Sequence, residues 1–387
     1  MHIERTTTLI VGAGPTGLVL ARRLKQLNVP FIIIDKRTQT SQETRSIGIH
    51  PTGAAILQCL GLGPELHKHA RRVKTGQAYG STHRLGTLTF SEGILTLSQV
   101  ITMQLLDLTE TRRGVEFIGT EPAEHGIRAF VRTADGVEYI IHAEWLIGCD
   151  GHRSRVRDEA GITTETFDYP DHIIMGDFPE SPALGDNAHI YVHRDGLAEA
   201  LPMSGDQRRW LARLLEPIDT EPTPEDLVKI IKERTGHELN QPPSSPIRVF
   251  RPQRMLADHV VQGRILLAGD AAHVMSPIGG QGMNVGWMDA WELAELIVAG
   301  DKHDIESYNR RCRKRAHKAI RVAERNMAIG RPSRHSWFRS TIIWLSLHSP
   351  LTRYMDQLFT LQRVPFNSAT LTRPPETPRQ RATAPPP

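Results

Sequence analysis

The chain of 387 residues has little cysteine: Cys59, Cys149 and Cys312 are few, odd in number and far apart. That excludes a disulfide framework and fits a reducing compartment. It also lacks any apolar run approaching the roughly 18 consecutive residues of a membrane span. The nearest imitation of a signal-peptide core, Leu9 to Ala21, is broken by Gly12, Gly14, Pro15 and Gly17, so a soluble, cytoplasmic protein is expected. Acids are missing from one stretch, where Arg310, Arg311, Arg313, Lys314, Arg315, Lys318 and Arg321 follow one another closely. The tail from Thr372 adds Arg373, Arg379 and Arg381 against Glu376 alone. Since the whole chain carries only +4, everything outside these two segments is mildly acidic, and a nucleic-acid partner is not expected. What is plentiful is apolar: 39% hydrophobic residues exclude global disorder. The length suits two or three domains, or one large core with an inserted lobe.

The first residues read as strand, helix, strand. Thr6 to Val11 is β-rich, Gly12 to Gly17 is a turn, and Leu18 to Leu27 has helical spacing. Phe31 to Ile34 is a continuous apolar strand ending in Asp35, as in a parallel sheet covered on both faces. Helices are expected near Gly53 to Leu60 and Val100 to Arg112, and short buried strands at Trp145 to Gly148 and Ile265 to Ala268. Between about Thr166 and Pro252, alternating runs such as Ala188 to His193 and Trp210 to Leu215 predict an antiparallel lobe containing a helix at Glu225 to Thr235. A long helical region is expected from Met283 to about Arg331. The last sixteen residues hold six prolines and are expected to be disordered.

Gly12-Ala-Gly14-Pro15-Thr16-Gly17 is a G-x-G-x-x-G between a strand and a helix, the context a dinucleotide motif requires. Its glycines let the backbone approach a pyrophosphate at the helix N-terminus. Asp35, with Lys36 beside it, ends the next strand, where a carboxylate can accept hydrogen bonds from ribose hydroxyls and disfavours a 2′-phosphate. Two later segments extend the pattern. Cys149-Asp150-Gly151 leads to Ser154 and Arg157. Gly269-Asp270 leads through Pro277 to Gly279-Gly280-Gln281-Gly282-Met283-Asn284, where a second helix opens. One ligand with an adenosine end, a diphosphate, a polyol and an electron-accepting ring would use all of these features, and that ligand is FAD.

In these three segments the chain resembles the class A flavoprotein aromatic hydroxylases, the para-hydroxybenzoate hydroxylase type, over about residues 5 to 325. The resemblance implies an α/β fold: a Rossmann-like, glutathione-reductase-like FAD domain (1–75, 99–165 and 256–330) interrupted by a mostly antiparallel β-sheet substrate lobe (76–98 and 166–255). A helical C-terminus (331–371) and the loose tail (372–387) complete it. By resemblance Asp270 holds the ribityl chain, Pro277 lies beside the reactive flavin edge, and the N–H groups of Met283 and Asn284 meet the pyrimidine oxygens. Asp150 serves FAD and the transient nicotinamide, Arg45 lies near the diphosphate, and Gln99 contacts the flavin. The implied activity is monooxygenation of a phenolic or polycyclic aromatic substrate with NADPH or NADH and O2, through a flavin hydroperoxide. An FAD reductase without oxygen activation and a non-catalytic flavin-binding protein are the alternatives. A homodimer is left open. Departures from the family are Asp35 in place of glutamate, Met103 in place of glutamate, and a short Ser81 to Ser98 segment lacking the usual aromatic residues. No proton-accepting residue is identified from the sequence.

Other residues are read more plainly. His273 is taken as structural, Cys149 as a small core residue, His67 and His69 as a surface helix with no metal, and the basic run at 310–321 as a solvated face. Tyr191, His193 and Arg209, in the β-rich lobe, are weak candidates to line the substrate pocket. Thr341 to Leu347, with Trp337 and Trp344, is expected as a packed C-terminal helix rather than a membrane foot.

Overall fold

The computed structural model describes residues 2–43, 46–81, 83–218, 221–300, 302–333, 335–362, 364–366 and 371. Arg45 and the proline-rich tail therefore lie outside the described residues.

An eight-stranded sheet organises the first layer. Its parallel core runs, in spatial order, Ile265–Leu267, Glu138–Gly148, Ile3–Val11, Phe31–Asp35 and Arg112–Arg113. Leu9, Ile10, Ile33, Ile34, Leu146 and Ile147 are all buried, the two-sided burial that a continuous apolar strand predicts. The helix Pro15–Gln26 packs on this sheet and on the helix Gly282–Ala299. The strand expected at Trp145 to Gly148 is longer, beginning at Glu138 and pairing antiparallel with Gly126–Thr133 on its other edge.

The second eight-stranded sheet has the order Arg248–Phe250, His172–Pro179, Gln207–Leu214, Gly196–Met203, Ala188–His193, Arg71–Tyr79, Arg84–Thr96, Gly48–Ile49. Every pairing is antiparallel except that of Ala188–His193 with Arg71–Tyr79. One face carries Ile174, Phe178, Tyr191, Trp210 and Ala212 against Leu227 and Ile231 of the helix Pro224–Thr235. That helix starts with a capping box between Thr223 and Asp226 and stops at Gly236 in the left-handed region. The sheet's other face turns towards the first layer.

Three expectations are corrected, and a fourth, a packed helix at Thr341 to Leu347, holds on one side of the helix only. The helix predicted from Val100 to Arg112 spans only Gln99–Leu106. Arg22 donates to the carbonyls of Leu105, Leu106 and Asp107, satisfying the terminal acceptors that another helical turn would have used. The region from Met283 is two helices, Gly282–Ala299 and Lys302–Ile329, because Gly300 takes a left-handed cap at φ +67°. The basic run is not wholly solvated, since Arg315 is fully buried. The helix Ser336–Leu347 forms but buries no residue; Trp337 is 68% and Leu345 55% exposed. Its apolar residues run round the helix without one dominant stripe, so packing takes only the side bearing Ile343 and Leu347, which face the interior cavity.

Candidate active site

Both glycine-rich segments and the second sheet's inner face line one cavity of about 1460 Å³. At one end the strand Ile3–Val11 delivers Gly12 with φ +105°, where an added Cβ would lie 2.4 Å from the Cys149 carbonyl oxygen. Only glycine fits that approach. Gly17 and Gly269 are packing positions behind the wall: a Cβ on Gly269 would meet the Thr16 hydroxyl at 2.5 Å. Gly12, Gly14, Pro15, Thr16, Asp35 and Lys36 line the cavity. The helix they open has no side-chain cap, and its first intrahelical bond is from Leu18 N–H to Gly14 O. Its earlier N–H groups thus face an anion site.

Asp35 already has work to do. Its carboxylate accepts from Ala13 N–H at 2.8 Å, from Arg37 N–H at 2.9 Å, and from the Arg37 guanidinium at 2.9 and 2.7 Å. Burial would raise its pKa, but these hydrogen bonds and the Arg37 charge hold it below the ordinary carboxylate range. It is therefore an anion that fixes the glycine turn as well as facing the cavity.

Asp150 accepts from Ser154 Oγ at 2.5 Å and Val156 N–H at 3.2 Å, and burial pushes its carboxyl up. Ser154 also caps Arg155–Glu159. Arg157, at the end of the same segment, is buried and donates to the carbonyls of His152 and Ala271. It thereby ties the Asp150 segment to the Asp270 turn. Asp270 is exposed towards the cavity in the turn Gly269–Ala271. Pro277, Gly280, Gly282 and Met283 line the same wall, and Gln99 joins it while accepting from Ser46 N–H at 3.1 Å.

The second helix N-terminus has the same design as the first. Gln281 at its start makes no cap, and Val285 N–H to Gln281 O is the first intrahelical bond. The N–H groups of Gly282, Met283 and Asn284 precede it. Asn284 itself lies behind the lining: its side chain accepts from His50 N–H and donates to the carbonyls of Gly48 and Gly280. Among the described residues, the buried side-chain amide of Gln281 and the Nδ1 of His50 have no hydrogen-bond partner. Two uncapped helix ends, a glycine cradle, carboxylates near both, and orphaned polar atoms on the same wall suit a long dinucleotide with a polar ring edge. The residues fit FAD.

His50 was absent from the sequence candidates; a histidine before a helix-opening proline carries no recognisable signal. It is buried, its Nε2 lies 3.0 Å from Gly279 O, and burial lowers its pKa to about 4. It is neutral at neutral pH and pins the Pro277–Gln281 loop. His273 is structural as expected, its Nε2 lying 2.6 Å from Asp289 Oδ2 in full burial. Asp289 also accepts from Gly269 N–H and twice from Arg315. With its oxygens so engaged, the grouping of His273, Asp289 and Cys312 is a hydrogen-bonded hub. Cys149 is buried, and burial pushes its thiol well up. His67 and His69 are on the exposed side of the helix Gly63–His69.

The substrate-lobe candidates separate by strand alternation. Ala188, Ile190 and Val192 line the cavity, so Tyr191 and His193, one residue out of phase, face the other way. Tyr191 stacks on Tyr79, and its hydroxyl lies 2.8 Å from His237 Nε2, inside the core under the helix Pro224–Thr235. His193 pairs with Asp195. The expectation that these two line the pocket is thus corrected. Arg209 does line it, held by Asp177 at 2.7 and 2.9 Å. One cavity-facing acid, Glu199, was not among the candidates.

Comparison with known proteins fits this geometry. The family model described as FAD binding domain matches residues 5–323. The chain is 30% identical over 316 residues to pentachlorophenol 4-monooxygenase of Sphingobium chlorophenolicum, covering 75% of this chain and 57% of that protein. It spans less than two thirds of the length of several such curated relatives, 56% to 63%. The solved anhydrotetracycline hydroxylase of Streptomyces rimosus superposes with a TM-score of 0.76 at 26% identity, covering 94% of this chain and 77% of that one. The p-nitrophenol 4-monooxygenase of Pseudomonas putida has the same fold, with a TM-score of 0.83 at 19% identity over 93% and 99% of the two chains. No helix among the described residues is long and apolar enough to cross a membrane. A glycine cradle, two uncapped helix ends and a match over residues 5–323 agree: this chain belongs to the FAD binding domain family.

Proposed function

We propose that the protein is an FAD-dependent monooxygenase that hydroxylates a phenolic or polycyclic aromatic compound. The observation that carries the reading is the single cavity: the dinucleotide cradle opens without a wall onto an apolar sheet face. Relatives named for pentachlorophenol and anhydrotetracycline make phenols and fused phenolic rings the substrate classes to test. The balanced reaction is ArH + O2 + NAD(P)H + H⁺ → ArOH + H2O + NAD(P)⁺.

When bound, FAD supplies the two-electron transfer and oxygen activation. The chain's residues do the rest. The glycine turn and the N–H groups after Gly14 hold the diphosphate, with Lys36 and Arg153 adding positive charge at the same wall. Asp270 orients the polyol, and the helix opening at Gly282 stabilises negative charge on the ring's polar edge. Apolar side chains such as Phe90, Leu211, Ile278 and Ile329 exclude water from the aromatic end. Pro277 is the residue proposed beside the reacting edge. Division into an FAD domain and a substrate lobe, and a cytoplasmic location, belong to the same proposal.

The test is purification with bound yellow flavin, followed by NAD(P)H and oxygen consumption across a panel of simple phenols and fused phenolic polyketides. Hydroxylated product in step with NAD(P)H supports the reading. Flavin reduction without product on any phenol points to a reductase, and a protein that cannot be loaded with FAD defeats the proposal.

A further inference from the structure

Glu199 sits in the middle of the second sheet's cavity face. Strand register places six residues side by side in one transverse row: Ala78, Ile190, Glu199, Leu211, Met175 and Arg248. All six line the cavity. Ile190 and Leu211 flank the carboxylate directly, so its cross-strand neighbours offer neither charge nor hydrogen bond. Among the described residues no side chain pairs with Glu199. The charged groups nearby are otherwise engaged: Arg209, on the adjacent row, is bound by Asp177, and Arg248 lies 3.3 Å from Glu43. Phe90 and Ile94, further across the same sheet, and Ile278 and Ile329 from outside it also line the cavity. Elsewhere on the cavity wall the titratable and charged residues include His50, held by Gly279, Asp35 with Arg37, Asp150, Arg153, Glu221 and Asp270.

A carboxylate in apolar surroundings without a partner is costly. Burial here pushes its carboxyl up to about 7, so the group changes charge near neutral pH, where a general base is most effective. Its neighbours in the protein do not compensate it, so the compensating group is one that enters the cavity. We infer that Glu199 is a catalytic base that accepts the hydroxyl proton of a phenolic substrate. The phenol O–H bond breaks, a carboxyl O–H bond forms on Glu199, and the bonding pair stays on the phenolate oxygen. No electron passes to the protein, and the ring becomes more electron-rich for the attack on oxygen. The proton leaves to solvent when product does. This inference rests on the reading of the chain as a phenol hydroxylase.

The test uses the FAD-loaded wild type, Glu199→Gln and Glu199→Asp, with 4-nitrophenol as optical probe and the best phenol of the panel as substrate. A carboxylate beside the bound phenol opposes a second negative charge. In Glu199→Gln the phenolate band of the bound probe should therefore appear at a pH lower by about one unit or more. On the best phenol, kcat should fall by about 10²- to 10⁴-fold with KM little changed. Glu199→Asp should recover part of kcat, and flavin content should stay equal in all three. Equal ionisation of the bound probe together with unchanged kcat would overturn the assignment. So would loss of flavin in Glu199→Gln, which marks a structural role. Binding of tyramine in preference to 4-methylphenol, abolished in Glu199→Gln, would make the carboxylate an ammonium anchor instead. If the wild type holds FAD but neither binds nor hydroxylates any phenol, the proposed function fails and takes this inference with it.

Discussion

His50 couples one residue's protonation to the loop beside the flavin site. Its imidazole is buried against the Gly279 carbonyl, and burial lowers its pKa from 6.5 to about 4. A depressed pKa means that the folded state resists protonation. The contribution is complete above pH 6.5 and is lost as pH falls through about 4. At 1.36 kcal/mol per pKa unit, that window is worth about 3 kcal/mol. Unfolding free energies from urea titrations taken across it should fall by about 3 kcal/mol more for wild type than for His50→Asn. Parallel curves for the two proteins would remove His50 as the cause. The residue scale is also where the sequence is least legible. Gly12, Gly14, Asp150 and Asp270 are readable because a motif fixes their spacing. His50 and Arg157 act through partners far along the chain, Gly279 and Ala271, which no local pattern announces. Tyr191 and Ile190 differ by one position, yet alternation alone does not say which of the two faces the cavity.

Among elements, the buried Asp289 joins three that the sequence presents as separate. From the helix Gly282–Ala299 it holds Gly269 N–H and His273 on the Asp270 turn, and Arg315 on the helix Lys302–Ile329. Glu292, one turn further along, also binds Arg315 at 3.0 Å. Its interactions with His273 and Arg315 offset the burial penalty on Asp289 and hold its carboxyl below the usual range. Asp289→Asn keeps the shape but leaves Arg315 and His273 facing an amide. Breaking a buried pair in this way costs roughly 3–5 kcal/mol, and chemical denaturation should show that loss. Flavin retention should fall too, because the Asp270 turn loses its anchor; a destabilised variant with unchanged flavin content would separate the hub from the site. Most elements were legible as elements, since apolar periodicity names them. Their ends were not, because Arg22 and Gly300 terminate helices by tertiary bonding and by backbone conformation.

At the scale of the molecule, function depends on a space between two sheets rather than on either sheet. Motifs locate the cradle in the sequence, but the aromatic end is assembled from strands 73–96, 175–211 and 247–250 together with the C-terminal helices. No motif spans that distance, so the pocket became visible only in three dimensions. Its outer wall is the helix Ser336–Leu347 and the helix Thr352–Phe359, which contribute Ile343, Leu347, Met355 and Phe359. Leu347, Met355 and Phe359 pack on Val73, Leu88 and Phe90. The segment Ser336–Phe359 therefore acts as a cover whose inward face is apolar and whose outward face is left to solvent. If the cover keeps water from the reacting end, thinning it should divert electrons from product to hydrogen peroxide. Phe359→Ala removes a ring from the wall at a distance in sequence from every cofactor-binding residue. It should retain flavin and oxidise NAD(P)H with a phenol present, while releasing a larger fraction of the consumed oxygen as hydrogen peroxide. Peroxide measured against hydroxylated product checks this, and the same ratio in variant and wild type would show that the C-terminal helices are not what keeps the site dry.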